Sequence, residues 1–184
     1  MKSAVTPLSL GTDRLANLLL RYAIPSIIAM TSSSLYNIID SIFIGHGVGA
    51  LAISGLAITL PLMNIASAFG SMVGIGAAAI ISIRLGEGNR TAAENTLGNV
   101  VLLNILIGML FMIVSLLFLD PILYFFGASE QTIGYARDFM QIILAGAVVT
   151  HMYLGLNEVL RASGYPQKAM FIMLTAVAVN CILN

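Results

Sequence analysis

Four apolar stretches constrain this chain more than any other feature. Each is longer than the roughly 20 residues that a helix needs to cross the hydrocarbon core of a bilayer. They run from about Leu18 to Ile44, Leu51 to Ile83, Thr96 to Leu119 and Tyr135 to Leu160. A fifth begins near Ala169 and is still apolar at Asn184. Hydrocarbon offers no water to backbone amides and carbonyls, so a spanning segment is a helix or part of a closed barrel. Barrel strands would read as short alternating segments, and these runs are long and continuous. The expected fold is an all-α polytopic membrane protein with four full transmembrane helices and part of a fifth, forming one partial transmembrane lobe over residues 1–184. A helix that stops inside its apolar run is expected of a piece of a longer chain. Only 9% of the residues are charged, against about 25% in a soluble domain.

The charges are few enough to count. Lysines and arginines number 8, acids number 8, and the net charge is zero. Nothing here suggests a nucleic-acid partner. With alternating segments, Lys2, Arg14, Arg21, Arg84, Arg90, Arg161 and Lys168 fall on one side and Arg137 alone on the other. Positive residues collect in cytoplasmic loops, so the N-terminus is expected in the cytoplasm of a multi-pass inner-membrane protein.

Polar residues inside the spans are sparse. Pro25 lies in the first segment, where it removes a backbone donor and permits a kink. Thr31, Ser32, Ser33 and Ser34 follow, with hydroxyls that can bond back to helix carbonyls. Gly70 and Gly74 form a small-xxx-small pair suited to close helix packing. Asn64 fits an interhelical hydrogen bond or a cavity lining equally. His151 can titrate in mid-membrane or bond a neighbouring helix. Asn99 and Asn104 are the polar residues of the third segment. The turn Arg84-Leu85-Gly86-Glu87-Gly88-Asn89-Arg90 reads as a hairpin, with Thr91 and Glu94 as a capping box for the next helix. Glu158 and Arg161 are spaced to pair.

Enzymatic sites fare poorly. Gly45-His46-Gly47-Val48-Gly49 lacks the strand and spacing of a dinucleotide fingerprint, and no P-loop sequence is present. Cys181, His46 and His151 are too scattered for a zinc site. The sequence reads as a non-enzyme without a cofactor.

Asp40 is the acidic residue set well inside an apolar segment, in Tyr36-Asn37-Ile38-Ile39-Asp40-Ser41. A carboxyl group at membrane depth costs at least a few kcal/mol and tends to mark an ion, proton or substrate site. Tyr36 and Asn37 precede it by four and three residues, which places them on the same helical face. Tyr36 can donate to the carboxylate, and Asn37 can donate or ligate a cation. Two readings stand: a coupling-ion site, or a hydrated interfacial aspartate.

Several segments together resemble a known family. They are Pro25 with Tyr36 to Gly45; Gly49-Ala50-Leu51-Ala52-Ile53-Ser54-Gly55-Leu56-Ala57; Arg84 to Asn89; and Leu160-Arg161-Ala162-Ser163-Gly164 with Met170. In order and spacing the chain resembles the N-terminal lobe of the MATE (multidrug and toxic compound extrusion) transporters, in their DinF-like and MepA-like branch. The resemblance implies a twelve-helix fold of two six-helix lobes, with the C-terminal lobe as the partner of this one. It implies antiport, in which H+ or Na+ enters while a cationic or amphipathic drug leaves through the lipid membrane. An export role for lipid-linked or polysaccharide precursors, as in the wider flippase superfamily, is the alternative. The resemblance makes Asp40 the coupling-ion residue and Pro25 the hinge. On helix five the family pattern Asn-x-x-x-Asp reads Asn180-Cys181-Ile182-Leu183-Asn184, so Asn184 stands where the acid is expected. An amide there can ligate a cation but cannot take up a proton at neutral pH.

Overall fold

The computed structural model describes Arg14 to Leu183, with the backbone alone for Tyr36, Asn37, Asp40, Asn180 and Leu183. Seven helices form among the described residues: α1 (Leu15–Gly47), α2 (Ala50–Gly86), α3 (Arg90–Leu117), α4 (Leu119–Phe125), α5 (Ile133–Ala145), α6 (Ala147–Ala162) and α7 (Pro166–Leu183). Pro25 and Pro61 are accommodated inside α1 and α2. By length and composition, Leu15–Leu35 of α1, all of α2 and all of α3 suffice to cross a membrane. Large apolar side chains face outward on these helices. On α3, Leu102, Leu106 and Leu110 form an exposed i, i+4, i+8 stripe. In water such a stripe would be an aggregation hazard; hydrocarbon removes the penalty.

The sequence reads one continuous segment from about Tyr135 to Leu160. The structure instead has α5 and α6, bent by 58°. The break is at Gly146, whose φ of −88° and ψ of 0° leave the helical region. Its N–H is shared between the carbonyls of Ile142 and Ile143. The short α4 is also an addition. Asp120 and Pro121 lie in its first turn, where the sequence suggests a helix end.

The chain divides into two compact units. Unit two comprises Ser41–Val73 and Val101–Gly155. Its core joins Leu62 of α2, Leu119 and Leu123 of α4, and Ile133, Ala136, Met140 and Leu144 of α5. Asp120 and Arg137 tie α4 to α5 through a two-pronged pair: Arg137 Nε–H donates to Oδ1 at 2.7 Å and Nη2–H to Oδ2 at 2.6 Å. A guanidinium fork matches a carboxylate in this way with high geometric specificity.

Unit one contains α1 as far as Asp40, Gly74–Val100 and the chain from Leu156 onward. Two turns organise it. At Gly164 (φ +90°), the Tyr165 N–H bonds the Leu160 carbonyl at 3.2 Å and the Gly164 N–H bonds that of Arg161 at 3.1 Å. That is a Schellman ending of α6, followed by Pro166 at the first position of α7. The Asn157 amide donates to the Ala169 carbonyl at 3.3 Å, fastening α6 to α7. At Gly88 (φ +75°) the same pair of bonds ends α2, with the Asn89 N–H on Arg84 and the Gly88 N–H on Leu85. The cap of α3 is Asn89, not the expected Thr91. Its Oδ1 accepts the Ala92 N–H at 3.1 Å, because Asn89 directly precedes the first helical residue. Asn89→Ala should therefore lower stability by about 1 kcal/mol, measurable as a shift in the unfolding free energy in mixed micelles.

Candidate functional site

The expected site lies along α1 and α7. The helix of α1 continues through Tyr36, Asn37 and Asp40 to Gly47. The spacing that puts the three residues on one face is therefore realised in the backbone. Their side chains, that of Asn180, and Asn184 altogether lie outside the described residues. Asp40 and Asn180 belong to the same compact unit.

Pro25 is buried in α1, ten residues after its start at Leu15. A proline has no N–H, so the carbonyl of Arg21, four residues earlier, loses its helical donor. Ser34 Oγ–H donates to the Met30 carbonyl at 3.0 Å, a back-bond that also favours bending. The residues between Pro25 and Asp40 thus contain both devices that make a helix compliant.

The two cavity-lining candidates separate. Asn64 is exposed on α2. His151 is 0% exposed and lines none of the cavities described below. Its Nδ1 lies 2.7 Å from the Ala147 carbonyl. A carbonyl only accepts, so Nδ1 carries the hydrogen of this bond. The ring packs against Phe111, centroids 5.6 Å apart, and Phe111 against Phe69 at 5.9 Å.

The sequence assigns Asn104 no role, yet it is buried at the same crossing of α3 and α6 as His151. It is 0% exposed, on α3, with its amide group against Gly155 of α6. One turn further along α3, a Cβ on Gly108 would lie 3.0 Å from Val148 Cα and 3.5 Å from the His151 ring. Gly70 of α2 meets His151 and Leu154 as closely. Asn104/Gly108 and His151/Gly155 are each four residues apart and face each other as polar-small against polar-small. The matched spacing in two apolar segments was the available signal. The Asn104 amide nitrogen and oxygen, and His151 Nε2, make no hydrogen bond to the described residues. Buried polar groups of this kind cost stability.

Two of the cavities among the described residues are the larger ones. In unit two, about 560 Å³ is enclosed by Leu62, Phe69, Phe111, Ile122, Phe125 and Phe126 among others, an almost wholly apolar wall. In unit one, about 640 Å³ lies between the start of α1 and the start of α7, with Pro25 in its wall.

The MatE family model matches residues 25–184, from Pro25 to the last residue. The chain belongs to the MatE family. The multidrug export protein MepA of Staphylococcus haemolyticus (strain JCSC1435) is 27% identical over 166 residues, which cover 90% of this MatE chain and 37% of that protein. Among solved structures, a MATE in the bent conformation is similar at a TM-score of 0.85 and 25% identity, over 98% of this chain and 40% of that one. A MATE in the straight conformation is similar at 0.82 and 25%, over 90% and 36%. The all-α fold is thus that of a MATE transporter, and this MatE chain spans about two fifths of the length of its relatives.

Proposed function

We propose that this MatE chain is the N-terminal part of a secondary active exporter. It would release cationic or amphipathic compounds from the cell in exchange for H+ or Na+. The observation that carries the reading is the similarity to the MepA multidrug export protein over 90% of this chain. The chemistry of α1 supports it. A carboxyl group in an apolar helix binds and loses a cation or proton with a change of one charge. Pro25, fifteen residues before Asp40, supplies the compliance through which that change can alter the helix. The amide oxygens of Asn180 and Asn184 are the further ligands that this reading assigns to the same coupling ion. Tyr36 and Asn37 flank it on α1.

Orientation follows from the same argument. Seven basic residues against one favour a cytoplasmic N-terminus. Arg137, the exception, is paired with Asp120, which weakens its pull. Cationic cargo is favoured by the absence of Lys and Arg from the middle of α2 and α3. Partners are then the drug, the lipid bilayer and the C-terminal lobe.

Expression of the full-length gene in a dye-sensitive bacterium tests this. Cells should accumulate less of a cationic dye, and collapse of the proton or sodium gradient should restore accumulation. Dye levels equal to those of cells with empty vector would overturn the reading.

A further inference from the structure

The cavity of unit two has aromatic walls. Phe69 of α2, Phe111 of α3, and Phe125 and Phe126 at the end of α4 face a space of about 560 Å³. That volume falls in the range of small-molecule sites. Along α3 the cavity extends from Ile107 to Ser115, a length of about 12 Å. The rings brace one another. Phe125 and Phe126 meet edge to face with centroids 5.4 Å apart. Phe111 is flanked by Phe69 at 5.9 Å and by the buried His151 ring at 5.6 Å.

One polar side chain interrupts this wall. Ser115 is 4% exposed and lines the cavity. Hydroxyls in apolar helices ordinarily bond back to a carbonyl of the preceding turn, as Ser71 and Thr96 do at 2.8 Å. The Ser115 hydroxyl makes no hydrogen bond among the described residues. A buried hydroxyl left unpaired is costly, and this one is free to donate to an occupant. None of the lining residues is charged. Asp120, beside the wall residue Pro121, is paired with Arg137. A charged compound would lose its water here and meet no counter-ion. A saturated chain would use neither the rings nor the hydroxyl. An aromatic compound gains from offset and edge-to-face contacts with the phenyl rings beyond the area it buries.

We infer that this cavity binds an uncharged aromatic compound with one hydrogen-bond acceptor, of the aryl ketone or quinone type. Its rings lie among Phe69, Phe111, Phe125 and Phe126, and its acceptor takes the hydrogen of Ser115 Oγ. Leu110 and Phe125 in the wall are 63% and 84% exposed, which leaves the cavity open to compounds dissolved in the hydrocarbon. Every lining residue belongs to unit two, whereas Asp40 belongs to unit one. The site therefore uses no coupling ion and stands whether or not the protein exports cations.

Benzophenone is the probe, since it carries two rings, one carbonyl and its own photochemistry. The purified full-length protein in detergent is irradiated over a series of benzophenone concentrations, and labelled peptides are identified by mass spectrometry. Labelling of the wild type should saturate and fall within residues 62–69 and 107–126. Ser115→Ala should raise the half-saturating concentration about fivefold. Diphenylmethane, which lacks the carbonyl, should compete equally well in both proteins, which separates a lost hydrogen bond from a distorted cavity. A benzophenone bearing a trimethylammonium group should label this region about tenfold more weakly. Val114→Trp, a substitution at an exposed position of the wall, should remove saturable labelling by narrowing the cavity. Labelling that does not saturate or spreads evenly over the helices would overturn the site. So would a half-saturation unchanged in Ser115→Ala, diphenylmethane competition weakened by Ser115→Ala, saturable labelling that survives Val114→Trp, or a cationic analogue that labels as well as the neutral one. Absence of labelling because another part of the protein fills the cavity would overturn it too.

Discussion

Gly108→Leu should leave no folded protein in the membrane, and Gly108→Ala should destabilise it. The glycine sits where α3 crosses α6. A methyl group added there lies 3.0 Å from Val148 Cα, a backbone atom that cannot swing aside. Overpacking of this kind costs about 1–3 kcal/mol. It outweighs the gain of about 1 kcal/mol that alanine brings to a helix interior. A leucine would have to place its whole side chain in the α6 backbone. Gly98, ten residues earlier on the same helix, is the control. A Cβ there meets nothing within 4 Å, so Gly98→Ala should stabilise by up to about 1 kcal/mol. Unfolding free energies of the two alanine variants should differ in sign from the wild type. Equal stabilities would show that the crossing is looser than its geometry.

Asp40→Asn should abolish ion-driven efflux while leaving protein levels unchanged. The substitution keeps the shape of the side chain and removes its charge and its proton. An exporter of this type works because ion binding and drug binding are linked, and such couplings amount to about 1–3 kcal/mol, or roughly 5–150-fold in affinity. With Asp40 as the proposed ion ligand, its removal removes the linkage, so gradient-driven dye export should fall to the level of cells with empty vector. Asp40→Glu, which retains the carboxylate, should keep part of the activity. Undiminished efflux by Asp40→Asn at normal protein levels would return Asp40 to the role of an interfacial, hydrated residue.

Much of the fold is visible in the sequence because hydrocarbon is an unforgiving solvent. Runs as long as Leu51 to Ile83 admit one structure, and α2 and α3 occupy the expected stretches. Glycines with positive φ, such as Gly88, mark turns that water-exposed loops require. The features that escaped are those for which an apolar run has no punctuation. Nothing in Leu144-Ala145-Gly146-Ala147 distinguishes a 58° bend from a continuous helix, since small residues are equally common in straight membrane helices. The pairing of Asp120 with Arg137 spans 17 residues and depends on the additional helix α4. Asn104 carries no signal alone, and neither does His151, which is buried at the same crossing of α3 and α6. Only the packing of Gly108 against α6 and of Gly155 against α3 brings the two amphipathic spacings together. Asp40 and Pro25 were legible for the opposite reason, because a carboxyl group and a proline are conspicuous in a membrane helix.

The most direct measurement uses proteoliposomes containing the purified full-length protein, loaded with a cationic dye, with the Asp40→Asn variant alongside. An imposed H+ or Na+ gradient should drive dye across the wild-type membrane against its own gradient, without ATP, and should fail to do so with Asp40→Asn. Dye that moves equally without any ion gradient, or that does not move at all with the wild type, would contradict the account.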